Sequence, residues 1–397
     1  MLDLILIAVL LLAAVSGWRR GLITAGLGAA GFLVGGLIGL HLVPGVVARV
    51  GAFAESEVLR VVVHVAGVLL LAAVGSIIGE AVGRAIARAI DIGPIRAVDA
   101  LLGAVGVAAI TALVMWLVAS SIRPALPAGA SAALAESRTL TAIDTYLPDR
   151  ARTSVTRFRA TIEGSGFPEV FDALTPEPIA PVREPDANAG QTAGVRAAAA
   201  SIVEIRAIGS ACATGMTGSG WVVAPQRVAT NAHVVAGTDQ VSVQVTGRGD
   251  RLEATVVAFD PELDMAILAV PDLDAAPLAR VAQVPDGSDG VVAGFPGGGD
   301  YTLSPAVVRG EFEAMGYDIH SRDRVLREIY SLRTTVRPGN SGGPLLTTDG
   351  TVAGTIFARS HDDAQTGYAI TDEAADAILD GAAGASSPVA TGSCVAA

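Results

Sequence analysis

Three short stretches of this 397-residue chain carry side chains that could act together on a carbonyl carbon: "TNAHVV" (230–235), "DMAIL" (264–268) and "PGNSGGPL" (338–345). A serine hydroxyl is a poor nucleophile until a neighbouring imidazole takes its proton, and the imidazole needs an acid to hold its tautomer and orientation. Ser341, His233 and Asp264 supply these groups in the order His, Asp, Ser. Singly they say little. Gly, Asn, Ser and Pro mark surface turns everywhere, and a histidine at a strand end is ordinary. Asp264 also has a rival in Asp260, but Asp260 precedes Pro261 and reads as a turn former. Asp264 stands directly before the apolar run "MAILAV", which would fix it in place.

The surrounding texture shows what must position them. From residue 198 onward the chain breaks into short β-branched runs separated by Gly, Pro and Asp. They include "SIVEIRAIG", "GSGWVVAP", "RVATNAHVV", "QVSVQV", "EATVVAFD", "MAILAV", "GVVAGFP", "AVVRGEF", "EIYSLRTTV" and "TVAGTIFA". Strands this short and regular predict an all-β pair of six-stranded barrels and not a βαβ sheet. His233 and Asp264 fall in the first barrel and Ser341 in the second. "DEAADAILDGA" reads as a short terminal helix.

The first third is different. Leu4–Trp18, Leu22–Leu42, Val61–Gly79 and Ala100–Ile122 are apolar stretches that predict four transmembrane helices, hence an all-α membrane domain over 1–122. A cleaved secretory signal is the alternative for the first stretch, but it begins with Asp3 in place of a basic region and three more spans follow. Arg19 and Arg20 follow the first stretch, and Arg84, Arg88 and Arg96 follow the third. The positive-inside rule then puts both loops in the cytoplasm and everything after residue 122 outside. That compartment makes a Cys212–Cys394 disulfide reasonable, with two unpaired thiols as the alternative.

"GLGAAG" (26–31) matches a dinucleotide fingerprint only formally, since no strand precedes it. Gly31, Gly35 and Gly39, four apart, suit close helix packing instead. His64, inside the third stretch, is either a proton-handling group or a neutral histidine bonded to a neighbouring helix.

Residues 123–190 read as amphipathic helices followed by a Pro-rich, acidic linker, "TPEPIAPVREPDANAGQT" (175–192), and 191–397 as the β domain. The net charge of −12 falls mostly beyond residue 121, where 20 arginines face 33 acids. That balance, with no basic stripe, excludes a nucleic-acid partner. The five scattered histidines and the absence of a CxxC motif give no metal site, and no cofactor is expected.

The three quoted blocks, with "GSGWVV" before the histidine and "AGFPGG" before the serine, resemble the trypsin-like, HtrA-type serine proteases over about residues 198–380. The apolar stretches resemble the colicin V production (CvpA-like) membrane family. Together the chain resembles the membrane-anchored acid-resistance proteases of mycobacteria and their relatives. The resemblance implies Ser341 as nucleophile, His233 as general base and Asp264 as its orienter. It implies an oxyanion hole from the N–H groups of Gly339 and Ser341, and a substrate pocket at Thr335 and Ala358. It also implies an extracytoplasmic (periplasmic) endopeptidase bound to the lipid bilayer. Expected substrates are cell-envelope proteins, such as a cell-wall hydrolase precursor, in acid or oxidative stress, with self-cleavage within 165–195.

Asn340 stands where zymogens of the chymotrypsin type carry Asp, so activation by an inserted N-terminus is not expected. Only 56 residues follow Ser341, too few for the PDZ domain of HtrA proteins. Two other readings remain: a protease-shaped sensing domain that signals through the helices without turnover, and a transport role centred on His64.

Overall fold

The computed structural model describes residues 2–49, 57–89, 93–122, 133–134, 136–147, 170–171, 175, 177–209, 212, 215–360 and 362–395. The chain divides into two compact units, one of residues 1–119 with 137–146, the other of 120–136 with 147–397.

Among the described residues the membrane unit holds α1 (Leu2–Arg49), α2 (Glu57–Ala89) and α3 (Gly93–Ile122), and α1 joins the first two predicted helices across a break at Gly21. The first two apolar stretches share α1 because only "RRG" separates them, with no proline to keep the helix from resuming. Helical geometry breaks at one residue, Gly21 (φ 75°, ψ 164°), a conformation that glycine adopts without strain. The candidate spans are Leu2–Gly39, Leu70–Ala89 and Ile95–Ser120.

The glycines of "GLGAAG" serve packing. A Cβ at Gly31 would lie 2.1 Å from Gly75 O on α2, and one at Gly35 would lie 2.3 Å from Leu71 O. Such contacts let two backbones approach where lipid provides no hydrophobic drive. His64 lies within α2, but its side chain is outside the described residues.

A short helix, α4 (Arg138–Tyr146), realises the first of the predicted amphipathic segments. Ser137 caps it by accepting from Leu140 N at 3.2 Å, and Asp3 of α1 accepts from Ser137 Oγ (2.6 Å) and Thr139 N (3.0 Å). The second predicted segment, 149–164, lies outside the described residues.

Part of the Pro-rich stretch is tied down. An extended, proline-spaced backbone makes no internal hydrogen bonds, which leaves its carbonyls free. Arg309 and Arg333 of the second barrel donate to Ala180 O (2.5 Å) and Val182 O (2.7 Å). Arg183 pairs with both oxygens of Asp289 at 2.8 and 2.7 Å, and Tyr368 Oη donates to Glu177 at 2.7 Å. A one-turn helix, α5 (Ala193–Ala198), leads into the barrels.

Twelve strands form two closed barrels. β1 (Ile202–Ile208), β2 (Met216–Ala224), β3 (Arg227–Thr230), β4 (Gln240–Val245), β5 (Leu252–Asp260) and β6 (Met265–Ala269) close in the order 1-2-3-6-5-4. β7 (Asp289–Gly294), β8 (Thr302–Tyr317), β9 (Arg324–Arg333), β10 (Pro344–Thr347), β11 (Val352–Arg359) and β12 (Thr366–Thr371) close in the order 10-11-12-9-8-7. This is the pair of six-stranded barrels that the strand texture predicted, in the chymotrypsin-like form that the resemblance implied. One apolar cluster crosses from barrel to barrel through Trp221, Phe295, Phe357 and Tyr368. Trp221, fully buried on β2, gives its indole N–H to Thr355 Oγ1 of β11 at 3.2 Å.

Beyond β12 the chain forms a short terminal helix (Asp376–Gly381). The tail then returns to the first barrel. Val389 N donates to Val256 O, Gly237 N donates to Thr391 O, and Cys394 is bonded to Cys212 with 5.8 Å between the Cα atoms. Closing a loop of 182 residues stabilises by roughly 4–5 kcal/mol in the chain-entropy model. Cys212→Ser should therefore lower the melting temperature by roughly 5–15 °C, and an unchanged melt under oxidising conditions would contradict this.

Arg280 anchors the terminal helix through Asp372 (3.5 Å), Asp376 (2.9 Å) and Asp380 (2.8 Å). Burial pushes the Asp372 carboxyl up to about 6; Asp376 and Asp380 add to this and Arg280 opposes it. The folded state thus holds this proton more tightly than the unfolded chain does. The contribution is fully present below the ordinary carboxylate range and is lost as pH rises through about 6. Asp372→Asn should remove a stability difference on the order of 2 kcal/mol across that window. Melting curves of wild type and variant that stay parallel from acid to neutral pH would refute it.

Candidate active site

β3 ends at Thr230, and the residues that follow form a single helical turn, α6 (Ala232–Val235), where the sequence suggested one continuous run through "RVATNAHVV". The turn forms because Asp264 Oδ1 accepts from His233 N at 2.9 Å, satisfying a donor that the strand ladder leaves unpaired. The other oxygen of the same carboxylate, Oδ2, faces His233 Nδ1 at 2.7 Å. One acid therefore grips both the backbone and the ring of one histidine. Asp264 is fully buried with φ of 65°, and Asn231 Nδ2 donates to its carbonyl at 2.9 Å. Asp260 is engaged elsewhere: its Oδ1 accepts from Glu262 N (3.0 Å) and Leu263 N (2.8 Å), closing the turn.

The turn that carries Ser341 is laced to both barrels. Ser341 O accepts from Ser219 N of β2 at 2.8 Å, and Gly342 N donates to Ile356 O of β11 at 2.8 Å. Within the turn, Asn340 N donates to Arg337 O and Asn340 Oδ1 accepts from Arg337 N at 3.0 Å. Asn340 thus braces the loop from inside, with no ion pair. Gly339 has φ of +95°, and a Cβ there would stand 2.3 Å from Phe295 O, so the position admits only glycine. Neither Gly339 N nor Ser341 N meets an acceptor among the described residues, which leaves both N–H groups open to an incoming oxygen. Ser341 and His233 are 4 % and 2 % exposed. Their side chains make no hydrogen bond to each other here; such bonds are commonly long in ligand-free enzymes and tighten on substrate binding.

Thr335 is exposed, and Ala358 is buried on β11 opposite Tyr368 of β12. Nearby on β12, a Cβ at Gly367 would lie 2.3 Å from Val336 Cγ2. Among the described residues no group of His, Cys, Asp and Glu could hold a metal ion.

Two further residues support the site and were not singled out from sequence. Ser219 is fully buried; its Oγ donates to Gly339 O at 2.7 Å and accepts from Phe295 N at 3.0 Å. It holds the peptide whose reversal would turn the Gly339–Asn340 unit. The only signal was its setting between two glycines in "GSGWVV", where a Cβ at Gly218 would come within 2.6 Å of Val234 Cγ1. Arg327, 3 % exposed on β9, donates to Glu262 O (2.6 Å) and Tyr317 O (2.9 Å) and lies 5.9 Å from the centre of the Phe357 ring. Burial lowers its pKa, with Asp264 the foremost of the carboxylates that oppose the shift. It places a positive charge near the buried acid. Nothing in the sequence marked it, because arginines on strands are common.

The arrangement can perform acyl transfer: a hydroxyl on a rigid turn, an imidazole oriented by a buried carboxylate, and two open N–H groups beside the hydroxyl. Ser219→Ala should free the Gly339 carbonyl and leave Phe295 N unpaired. We expect kcat/KM to fall by about ten- to a hundredfold, below the full loss of one oxyanion donor, with the melt lowered by about 1–3 kcal/mol. Full activity in the alanine variant would show that Ser219 does not hold the turn.

Comparison with known proteins agrees with this geometry. Residues 218–354 match the trypsin-like peptidase domain family, and residues 2–148 match the colicin V production protein family. The serine protease Rv3671c of Mycobacterium tuberculosis (strain ATCC 25618 / H37Rv) is 38% identical over 409 residues, covering 99% of this chain and 98% of its own. The crystal structure of the active form of that protease is 41% identical, with a TM-score of 0.53 over 56% of this chain and 97% of the solved one. A DegP-like probable periplasmic serine endoprotease of Hahella chejuensis is 33% identical, over 36% of this chain and 30% of its own. A double barrel preceded by apolar helices, matched nearly end to end by a protease of the same layout, places this chain in the family of membrane-anchored, trypsin-like serine proteases that includes Rv3671c.

Proposed function

We propose that this serine protease is an extracytoplasmic endopeptidase whose nucleophile is Ser341, with His233 as general base and then acid and Asp264 as its orienter. The observation that carries the reading is the double grip of Asp264 on His233, at 2.9 and 2.7 Å, beside two open N–H groups. His233 Nε2 takes the Ser341 proton as Oγ attacks the scissile carbonyl. The N–H groups of Gly339 and Ser341 receive the oxyanion, and His233 returns the proton to the leaving amine. Asp264 holds the ring and stabilises the imidazolium as it forms. These steps need no cofactor. Thr335 and Ala358 border the substrate pocket, whose partly apolar lining favours modest side chains over Arg or Lys.

The location follows from charge. If the break at Gly21 lets α1 cross twice, the chain makes four crossings, with Arg19, Arg20, Arg84, Arg88 and Arg96 on the cytoplasmic side. The protease unit then lies outside, in the oxidising compartment that keeps the Cys212–Cys394 bond. Substrates are proteins of the cell envelope, a cell-wall hydrolase precursor among the classes that fit, in resistance to acid or oxidative stress. Self-cleavage within 165–195 belongs to this reading; 177–195 is held against the protease unit, and 165–169, 172–174 and 176 lie outside the described residues.

Fluorophosphonate labelling of the chain at pH 7 and pH 5 tests the nucleophile. We expect labelling that vanishes in Ser341→Ala, because the serine hydroxyl is the attacking group. Labelling that survives in Ser341→Ala would remove Ser341 from its role. No labelling of folded wild-type protein at either pH would favour a sensing domain without turnover.

A further inference from the structure

The membrane unit carries an open cavity of about 470 Å³ where α1 breaks at Gly21, α2 ends and α3 begins. Five arginines line it, each from one of three helices: Arg19 and Arg20, Arg84 and Arg88, and Arg96. Two are paired within the unit and share one carboxylate, since Glu80 takes Arg20 at 2.9 Å and Arg84 at 3.1 Å. The carboxylate that lines the cavity, Asp99, is engaged by Ile23 N at 2.9 Å, a donor left unpaired where the helix restarts after Gly21. Arg19, Arg88 and Arg96 have no ion pair among the described residues.

Membrane orientation by arginines needs positive charge in a loop, at any spacing, and does not need a cavity. Here three helices bring unpaired guanidinium groups to one space, and like charges held together repel unless an anion joins them. A guanidinium fork matches phosphate oxygens in a bidentate way that an ammonium group does not. The rim suits a membrane surface, with Trp18, Ile23 and Ile95 beside the polar cluster. The volume lies in the range of small-molecule sites. Basic pockets between membrane helices take anionic headgroups by this chemistry.

We propose that this cavity binds a phosphate-bearing anion, supplied either by the headgroup of an anionic phospholipid or as a free phosphate ester. The site is separate from Ser341 and does not depend on the protease reading.

The test is native mass spectrometry of the full chain in detergent micelles, titrated with phosphatidylglycerol, with phosphatidylcholine and, separately, with glycerol 3-phosphate. We expect phosphatidylglycerol to be retained at least about tenfold better than phosphatidylcholine. We expect R19Q/R88Q/R96Q to lose at least about tenfold of that retention, and R19K/R88K/R96K to lose less. Displacement of bound phosphatidylglycerol by glycerol 3-phosphate would identify the headgroup as the recognised part. Retention of glycerol 3-phosphate without phosphatidylglycerol would assign the site to a free phosphate ester. No preference of wild type for either ligand over phosphatidylcholine would overturn the proposal. So would a glutamine triple that binds as wild type does, or equal loss in both triples.

Discussion

One main-chain hydrogen bond, from Ser219 N on the first barrel to Ser341 O on the second, is the seam on which the protease unit depends. Each barrel closes on its own strands, so neither needs the other to satisfy its ladder. The seam is where their separate contributions become one site. The first barrel supplies a histidine and an acid thirty-one positions apart that meet within that barrel. The second supplies a glycine turn that adjacent loops shape. Ser219 serves both sides, its N–H holding the Ser341 carbonyl and its hydroxyl holding that of Gly339.

That seam explains why bulk is kept out around the turn. Added Cβ atoms at Gly339, Gly342 and Gly343 would come 2.2–2.3 Å from Phe295 O, Ser219 O and Ala293 O. The backbone of the turn therefore touches the backbone of its neighbours, leaving little freedom to drift. Rigid placement of open N–H donors is what makes electrostatic stabilisation of a developing oxyanion effective, because no reorganisation is needed as charge appears. The apolar cluster through Trp221, Phe295 and Phe357 supports the seam from beneath, and the disulfide-bonded tail ties the far end of the chain back to the first barrel.

The membrane unit uses glycine for a related purpose in a different solvent. In lipid, apolar side chains gain nothing by meeting one another, so association rests on close contact. Gly31 and Gly35 let α1 approach α2, and Gly17 lies against Gly103 of α3. Gly21 instead supplies a backbone conformation that turns the helix out of register and brings Asp99 close, 1.8 Å from where a Cβ would stand.

Much of this was legible in the sequence. The short β-branched runs anticipated two six-stranded barrels, because alternation and turn residues are local signals. Asp260 and Asp264 could be told apart because a Pro neighbour and an apolar run are also local. How the first two apolar stretches join was not legible: they run into one another across a single break at Gly21, set by one glycine's dihedral angles, which hydropathy does not encode. The turn at His233 was likewise hidden, since a strand-like run becomes helical only when Asp264, distant in sequence, caps it. Local patterning and the order of three short motifs therefore determined the two kinds of domain and the identities of Ser341, His233 and Asp264 as candidates. Tertiary structure decided their geometry, the supporting roles of Ser219 and Arg327, and the meeting of five arginines in one cavity. Those features are contacts between segments far apart in the chain, and no local pattern of residues specifies them.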